Sequence, residues 1–167
     1  NFADNHDQNR LSSLLTKTEY LYTEYLMLFT LPGVPSVYYG SEWGIKGEKT
    51  AASDADVRPY IDIEHIQPEE PALEEHIKKL NHIRNNNEVL CHGSYRQVYI
   101  QYQKPLIYER NYNGKNAVIA VNIRDEEDTV DIRQFGRDFY DVLNDEHISA
   151  GSLQSLQIPP HWGRILL

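Results

Sequence analysis

The pattern over residues 1–40 leaves few folds open. A polar cluster, Asp4 to Arg10, stands just before a helical run. Pro32-Gly33 stops that run. The next segment, Val34 to Tyr39, is apolar, β-branched and aromatic, and is bounded by Gly33 and Gly40. Such a run reads as a short strand buried on both faces, as in a parallel sheet. Residues 1–5 read as the C-terminal end of a preceding strand. Between them Leu21, Tyr25, Leu28 and Phe29 recur at helical spacing. Thr16-Lys-Thr-Glu19 has the capping-box pattern, so the spacing predicts a helix over roughly 17–31. Strand, helix and strand, with polar chemistry at a strand end, is the layout of a parallel α/β barrel. Active sites in such barrels sit where the strands end.

Gly44 to Pro68 has no hydrophobic period and reads as a long loop at that same face. A second helix follows, with Pro71 in its first turn and Leu73, Ile77, Leu80 and Ile83 as its apolar stripe. Glu74–Lys78 and Glu75–Lys79 are favourable i,i+4 pairs, and Asn85-Asn-Asn87 ends the helix. From residue 91 the texture changes to strands: 95–102, 106–112, 117–123, 129–132, 139–143, 155–158 and 164–167. Asn113-Gly114 marks a hairpin. The predicted fold is therefore an α+β fragment with two parts. Residues 1–90 supply the last strands and helices of a (β/α)8 barrel, and residues 91–167 form an antiparallel β-sandwich.

Composition narrows the partners. A net charge of −9 argues against nucleic acid. No run of eighteen apolar residues exists to span a membrane. The single Cys91 excludes an internal disulfide framework, reads as a small buried hydrophobe, and fits a reducing, cytoplasmic setting. The seven histidines include no HExxH motif. Asp54 and Asp56 lack the glycine and distal glutamate of a calcium loop, so neither a metal nor another cofactor is expected. Twelve tyrosines, many in the β-rich half, suit half-exposed strands and also sugar contact.

Two motifs carry a family resemblance. Phe2-Ala-Asp-Asn-His-Asp7 resembles the last catalytic signature of the α-amylase superfamily of glycoside hydrolases. Gly33-Val-Pro-Ser-Val-Tyr-Tyr-Gly-Ser-Glu42 resembles the segment that follows it there as the eighth barrel strand. The style of Gly33 to Gly47 is similar to the cyclomaltodextrinase and neopullulanase branch. The resemblance implies an α-glucan oligosaccharide as partner and retaining cleavage of α-1,4-glucosidic bonds. It implies that Asp7 is the third carboxylate, which holds sugar hydroxyls and stabilises the oxocarbenium-like transition state. It implies that His6 bonds a hydroxyl of the sugar at the cleavage point. Asn5 is expected to orient this turn on the substrate side. Arg10 is expected to pair with Asp7 or Asp4, and Arg58, in the long loop, to contact substrate. Many relatives carry Asp where this chain has Ser41, and Glu42 reads as structural.

In the family the nucleophilic aspartate and the general-acid glutamate lie on earlier strands. The chain opens in mid-motif at Asn1, so it reads as a fragment, and residues 1–167 alone are expected to lack glycosidase activity. Two other readings stay open: a carbohydrate-binding or stabilising β-module, with Tyr95, Tyr99, Tyr102 and Trp162 as the candidate platform, and a degenerate, non-catalytic relative. Orphan barrel strands leave unpaired edges, so a homodimer through residues 1–45 is expected.

Overall fold

The computed structural model describes residues 1–167. The principal helices are α1 (Leu11–Leu14), α2 (Tyr20–Thr30), α3 (Leu73–Asn85) and α4 (Glu88–His92). The strands are β1 (Ser94–Tyr99), β2 (Leu106–Tyr112), β3 (Lys115–Asn122), β4 (Asp128–Val130), β5 (Phe139–Asp141), β6 (Glu146–Ile148), β7 (Leu156–Ile158) and β8 (Trp162–Leu166). Six strands form one antiparallel sheet in the order β1-β2-β3-β8-β5-β6, and β4 pairs with β7. The chain is thus α+β, with helices first and an antiparallel sheet after.

Period-two alternation divides β3 between two cores. Ala117, Ile119 and Val121 face α2, α3 and α4, where they meet Leu21, Tyr25, Leu80 and Leu90. Val118 and Ala120 face the other way and meet Val130, Leu156 and Ile158 of the two-stranded sheet. The first core runs from Leu11 to Ile165, so the helices and the large sheet share one apolar interior. Each fully buried Leu, Ile or Val in it contributes about 1.5–3 kcal/mol. The layers touch closely at Gly163 on β8. A Cβ there would lie 2.5 Å from the Ala120 carbonyl oxygen and 2.9 Å from Leu26 Cδ2.

Helix α2 begins later than its capping-box pattern predicts. Glu19 stands at the N-cap and makes no side-chain cap. The residues before it bond as turns through backbone, Tyr20 N to Lys17 O and Leu21 N to Thr18 O, while Lys17 reaches out to Asp125. The C-terminus is held by two buried arginines. Arg84 donates to the carbonyls of Phe29, Leu31 and Gly33, and Arg110 to those of Thr30 and Gly93. They supply the partners that the last carbonyls of a helix lack, at the negative end of its dipole. Burial holds both guanidiniums below the usual arginine range.

The segment Val34–Tyr39 does not form the expected doubly buried strand. It makes one parallel bridge, Phe2 to Ser36, and Val34 is 80% exposed. A strand is built by neighbours, and here residues 1–5 are the one neighbour, while Pro35 has no N–H to give. The bridge is parallel, with α2 between its two halves, as the pattern required.

Helix α3 buries Leu73, Ile77, Leu80 and Ile83 as the stripe predicts. Its ion pairs differ in part: Lys78 takes both Glu74 and Glu75 at 2.8 Å, so the Glu75–Lys79 pair does not form. Asn113 and Gly114 adopt φ of 50° and 76° and turn β2 into β3. Strand β6 was not predicted. Cys91 is half-buried and its thiol donates to the Arg84 carbonyl at 3.2 Å.

Candidate functional site

The polar cluster of residues 4–10 divides into a buried base and an exposed turn. Asp4 is the base. Its carboxylate accepts from the Leu11 amide at 2.9 Å and from Ser41 Oγ at 3.0 and 2.8 Å. One side chain thereby fixes the start of α1 and joins it to the end of the 34–40 segment. Ser41 is the joint: its oxygen also accepts from Arg10 at 3.3 Å.

Arg10 is 0% exposed. Its Nη1 donates to the Tyr39 carbonyl at 2.7 Å, and its guanidinium lies 4.2 Å above the Tyr38 ring and 5.0 Å from that of Tyr39. The expected ion pair with Asp7 or Asp4 is therefore absent, and Ser41 Oγ bridges Arg10 to Asp4 instead. The cause is position: the guanidinium is aimed inward at the two tyrosines, beneath the turn and away from its outer surface. Its Nε and Nη2, the Tyr25 hydroxyl and Glu42 Oε2 are buried without a partner. Burial pushes the Tyr25 hydroxyl well above the usual tyrosine range, with Asp4 adding to it.

The turn itself faces outward. Asn5 Oδ1 accepts from the Asp7 amide at 2.8 Å, so Asn5 shapes the turn through its side chain. His6 Nε2 lies 3.1 Å from Asp7 Oδ2, with the two side chains 58% and 59% exposed. Arg58 reaches across from the 44–68 loop. Its Nε donates to the His6 carbonyl at 3.1 Å, and its Nη2 lies 3.3 Å from Asp7 Oδ1 and 2.7 Å from Asp54 Oδ2. The loop is anchored on this side at several points. The Arg10 amide donates to the Gly47 carbonyl at 2.9 Å, the Lys49 amide to Asn9 Oδ1 at 2.8 Å, and the Tyr39 hydroxyl to the Pro59 carbonyl at 2.9 Å. Val57 is fully buried.

The structure thus gathers Asn5, His6, Asp7 and Arg58 at one surface and puts Arg10 underneath. Tyr38, 6.5 Å from the His6 ring, and Ser41 also belong to the site. Sequence reasoning gave neither a role there. Only the tandem Tyr38-Tyr39 beside a glycine signalled an aromatic floor.

The arrangement suits binding of neutral hydroxyls. An exposed carboxylate accepts from them and an imidazole beside it gives or takes a hydrogen bond. The second carboxylate beside the turn, Asp54, is tied to the same guanidinium as Asp7. No group of three His, Cys, Asp or Glu side chains is arranged to hold a metal, and no helix is long and apolar enough to cross a membrane.

Known proteins resemble this chain in sequence and in fold. The amylopullulanase of Thermoanaerobacterium saccharolyticum is 31% identical over 154 residues, which cover 81% of this chain and 11% of that protein. The cyclomaltodextrinase of Thermoanaerobacter pseudethanolicus is 26% identical over 160 residues, 94% of this chain and 26% of that protein. Among solved structures, the maltogenic amylase of S. marinus superposes over 99% of this chain and 22% of its own, with a TM-score of 0.77 and 25% identity. A protein of Thermus thermophilus superposes over 99% of this chain and 35% of its own, with a TM-score of 0.83 and 25% identity. The chain therefore spans about a tenth to a third of the relatives it matches. The family model described as "Alpha amylase, catalytic domain" matches residues 1–86, which take in the Asp4–Asp7 turn, the 34–42 segment and the Arg58 loop. The chain belongs to the α-amylase catalytic-domain family.

Proposed function

We propose that residues 1–90 are the closing part of a (β/α)8 barrel in a retaining enzyme that cleaves α-1,4-glucosidic bonds of maltodextrins. In this reading the His6–Asp7 turn holds the sugar at the cleavage point, and residues 91–167 are its β-sandwich companion. Asp7 accepts sugar hydroxyls and stabilises the oxocarbenium-like transition state. His6 donates to a neighbouring hydroxyl, Asn5 keeps the turn in shape, and Arg58 flanks the subsite. Arg10 supports them from below. One observation carries the reading: His6 and Asp7 are adjacent, exposed and 3.1 Å apart on a turn whose base, Asp4–Ser41–Arg10, is buried.

In this reading the nucleophile and general acid stand on earlier strands of the barrel, and residues 1–167 by themselves bind without cleaving. Reducing-sugar release from maltodextrin by the purified chain, abolished in Asp7→Asn, would overturn this. In the longer enzyme the first product should be the α-anomer, and a β-anomer would contradict retention. The exposed edge at Phe2 and Val34 favours self-association through residues 1–45. Light scattering that stayed strictly monomeric at high concentration would argue against it.

A second reading concerns the β-rich half. Tyr102 is 87% exposed, and Tyr95 and Tyr99 are also open to solvent. Tyr102 flanks a 540 Å³ hollow with Ile100, Ile123, Gln101 and Arg124. Trp162 is excluded from any such platform, because it packs on Tyr22 and His76 and its Nε1 donates to Asn144. Retardation in starch-containing gels, lost in Tyr102→Ala, would support a surface glucan site. Equal mobility of the two proteins would dismiss it.

A further inference from the structure

We propose that one side of α2 and the adjoining hollow of the β-rich half form the seat of an amphipathic helix, the one that leads into the 1–5 strand in the longer enzyme. The proposal rests on the barrel reading of residues 1–90 and adds a partner to it. At 3.6 residues per turn, Tyr20, Glu24 and Met27 share one side of α2. All three are half-buried, whereas most of the residues between them are buried. The opposite side of α2 belongs to α3. There His76 stacks on Tyr22 with ring centroids 5.0 Å apart, and Arg84 holds the Phe29 carbonyl. In a (β/α)8 barrel the helices form an outer ring, so each has a neighbour on either side. For α2, α3 is one neighbour. The other is the helix before the 1–5 strand, and the side at Tyr20, Glu24 and Met27 is what remains for it.

The surface on that side says what the helix carries. The 540 Å³ hollow beside Met27 is walled by Ile100, Leu106, Val121 and Ile123. A second hollow of 280 Å³ shares Gln103, Ile123 and Arg124 with it and runs on to Tyr20. Ile100 and Ile123 are 64% and 58% exposed, a patch that an apolar helix stripe would cover. Glu24, between Tyr20 and Met27, calls for a cation. Its carboxylate is half-buried with no hydrogen-bond or ion-pair partner, and burial alone pushes its pKa up. A Lys or Arg on the incoming helix supplies the partner that a carboxylate so placed needs. The relatives have chain enough for such a helix, since residues 1–167 cover 22% of the S. marinus amylase and 35% of the Thermus thermophilus protein. The sheet thereby grips the barrel on both sides of α2.

Met27 is the one methionine of residues 1–167, so its oxidation by hydrogen peroxide reads the seat directly. The 167-residue chain is compared with an active α-amylase-family enzyme that contains residues 1–167, with amide spectra as the check on folding. Oxidation of Met27 should be about tenfold slower or more in the longer enzyme. Equal rates would overturn the seat. Slowing by maltotriose in both proteins would give the hollow to a glucan and overturn it too. In the longer enzyme benzoylphenylalanine in place of Tyr102 should cross-link, on irradiation, to the helix that enters the 1–5 strand of the same polypeptide. Attachment to a second copy, or to another part of the chain, would overturn the assignment. Glu24→Lys should lower the thermal midpoint of the longer enzyme and leave that of the 167-residue chain unchanged or higher. An equal fall in both would remove Glu24 from the seat. The barrel reading is decided separately, by amide exchange over residues 34–39. Protection gained in the longer enzyme upholds the barrel whatever fills the hollow, and exchange as fast as in the 167-residue chain removes it.

Discussion

Lowering the pH should loosen the contact between helix and sheet through one residue, His76. It lies on α3 between Tyr22 and Trp162, each ring centroid 5.0 Å away, and its Nε2–H donates to the Tyr22 carbonyl at 3.0 Å. Burial lowers its pKa from 6.5 to about 4, with the Tyr22 carbonyl opposing and Lys79 adding a little. The unfolded chain takes up a proton as pH falls through 6.5, whereas the folded chain does not until about 4. Stability is therefore complete above 6.5 and declines toward 4. The full gap is worth about 3 kcal/mol at about 1.36 kcal/mol per pH unit, and most of it is lost by pH 4.5. With a urea slope of about 2 kcal/mol/M, the midpoint should fall by about 1 M between pH 7.5 and 4.5. Tryptophan fluorescence follows the transition, and one of the two tryptophans, Trp162, lies against the His76 ring. His76→Gln keeps a donor for the Tyr22 carbonyl but cannot titrate, so its midpoint should move much less over the same interval. The carboxylates held below their usual range, such as Asp125 and Asp128, act mainly at lower pH and are common to both proteins. An equal fall in wild type and His76→Gln would refute the assignment to His76.

Other perturbations have separate readouts. Gly163→Ala forces a methyl into the Ala120 carbonyl and Leu26 and should cost about 1–3 kcal/mol in urea unfolding. Arg110→Met leaves the Thr30 and Gly93 carbonyls without their donor and should cost about 2–3 kcal/mol, with faster amide exchange at the end of α2. Asp4→Ala removes the acceptor for Leu11 and Ser41 and should destabilise by about 1–3 kcal/mol, whereas Asp7→Asn, at the exposed turn, should stay within about 0.5 kcal/mol of wild type.

What was legible in the sequence was local. Asn113-Gly114 fixes its hairpin because both residues tolerate positive φ, and α3 follows from the spacing of four apolar residues. The His6–Asp7 turn was legible because its residues are consecutive. What was not legible depends on distant partners. Arg10 is an ordinary polar residue in the sequence, and its burial follows from Tyr38, Tyr39 and Ser41, about thirty positions away. Strand β6 is three residues long and mostly exposed. It exists because Asp145, at φ 58°, closes a turn against β5, with the Tyr140 hydroxyl on its carboxylate. The 34–39 run is largely apolar and aromatic, yet Pro35 has no N–H to give and the run makes a single parallel bridge, Phe2 to Ser36. Arg58 was recognised as a site residue, but its sharing between Asp7 and Asp54 required the loop's path over the turn.

The central claim is that Asp7 holds the sugar through its transition state. It is tested most directly by Asp7→Asn in an active α-amylase-family enzyme that contains residues 1–167, with kcat and KM measured on maltotriose. The account predicts that kcat falls by about 10²–10³-fold or more while thermal stability is unchanged, as for loss of a group aimed at developing charge. A kcat within about threefold of wild type, with only KM altered, would show that Asp7 binds ground-state sugar alone and would contradict the account.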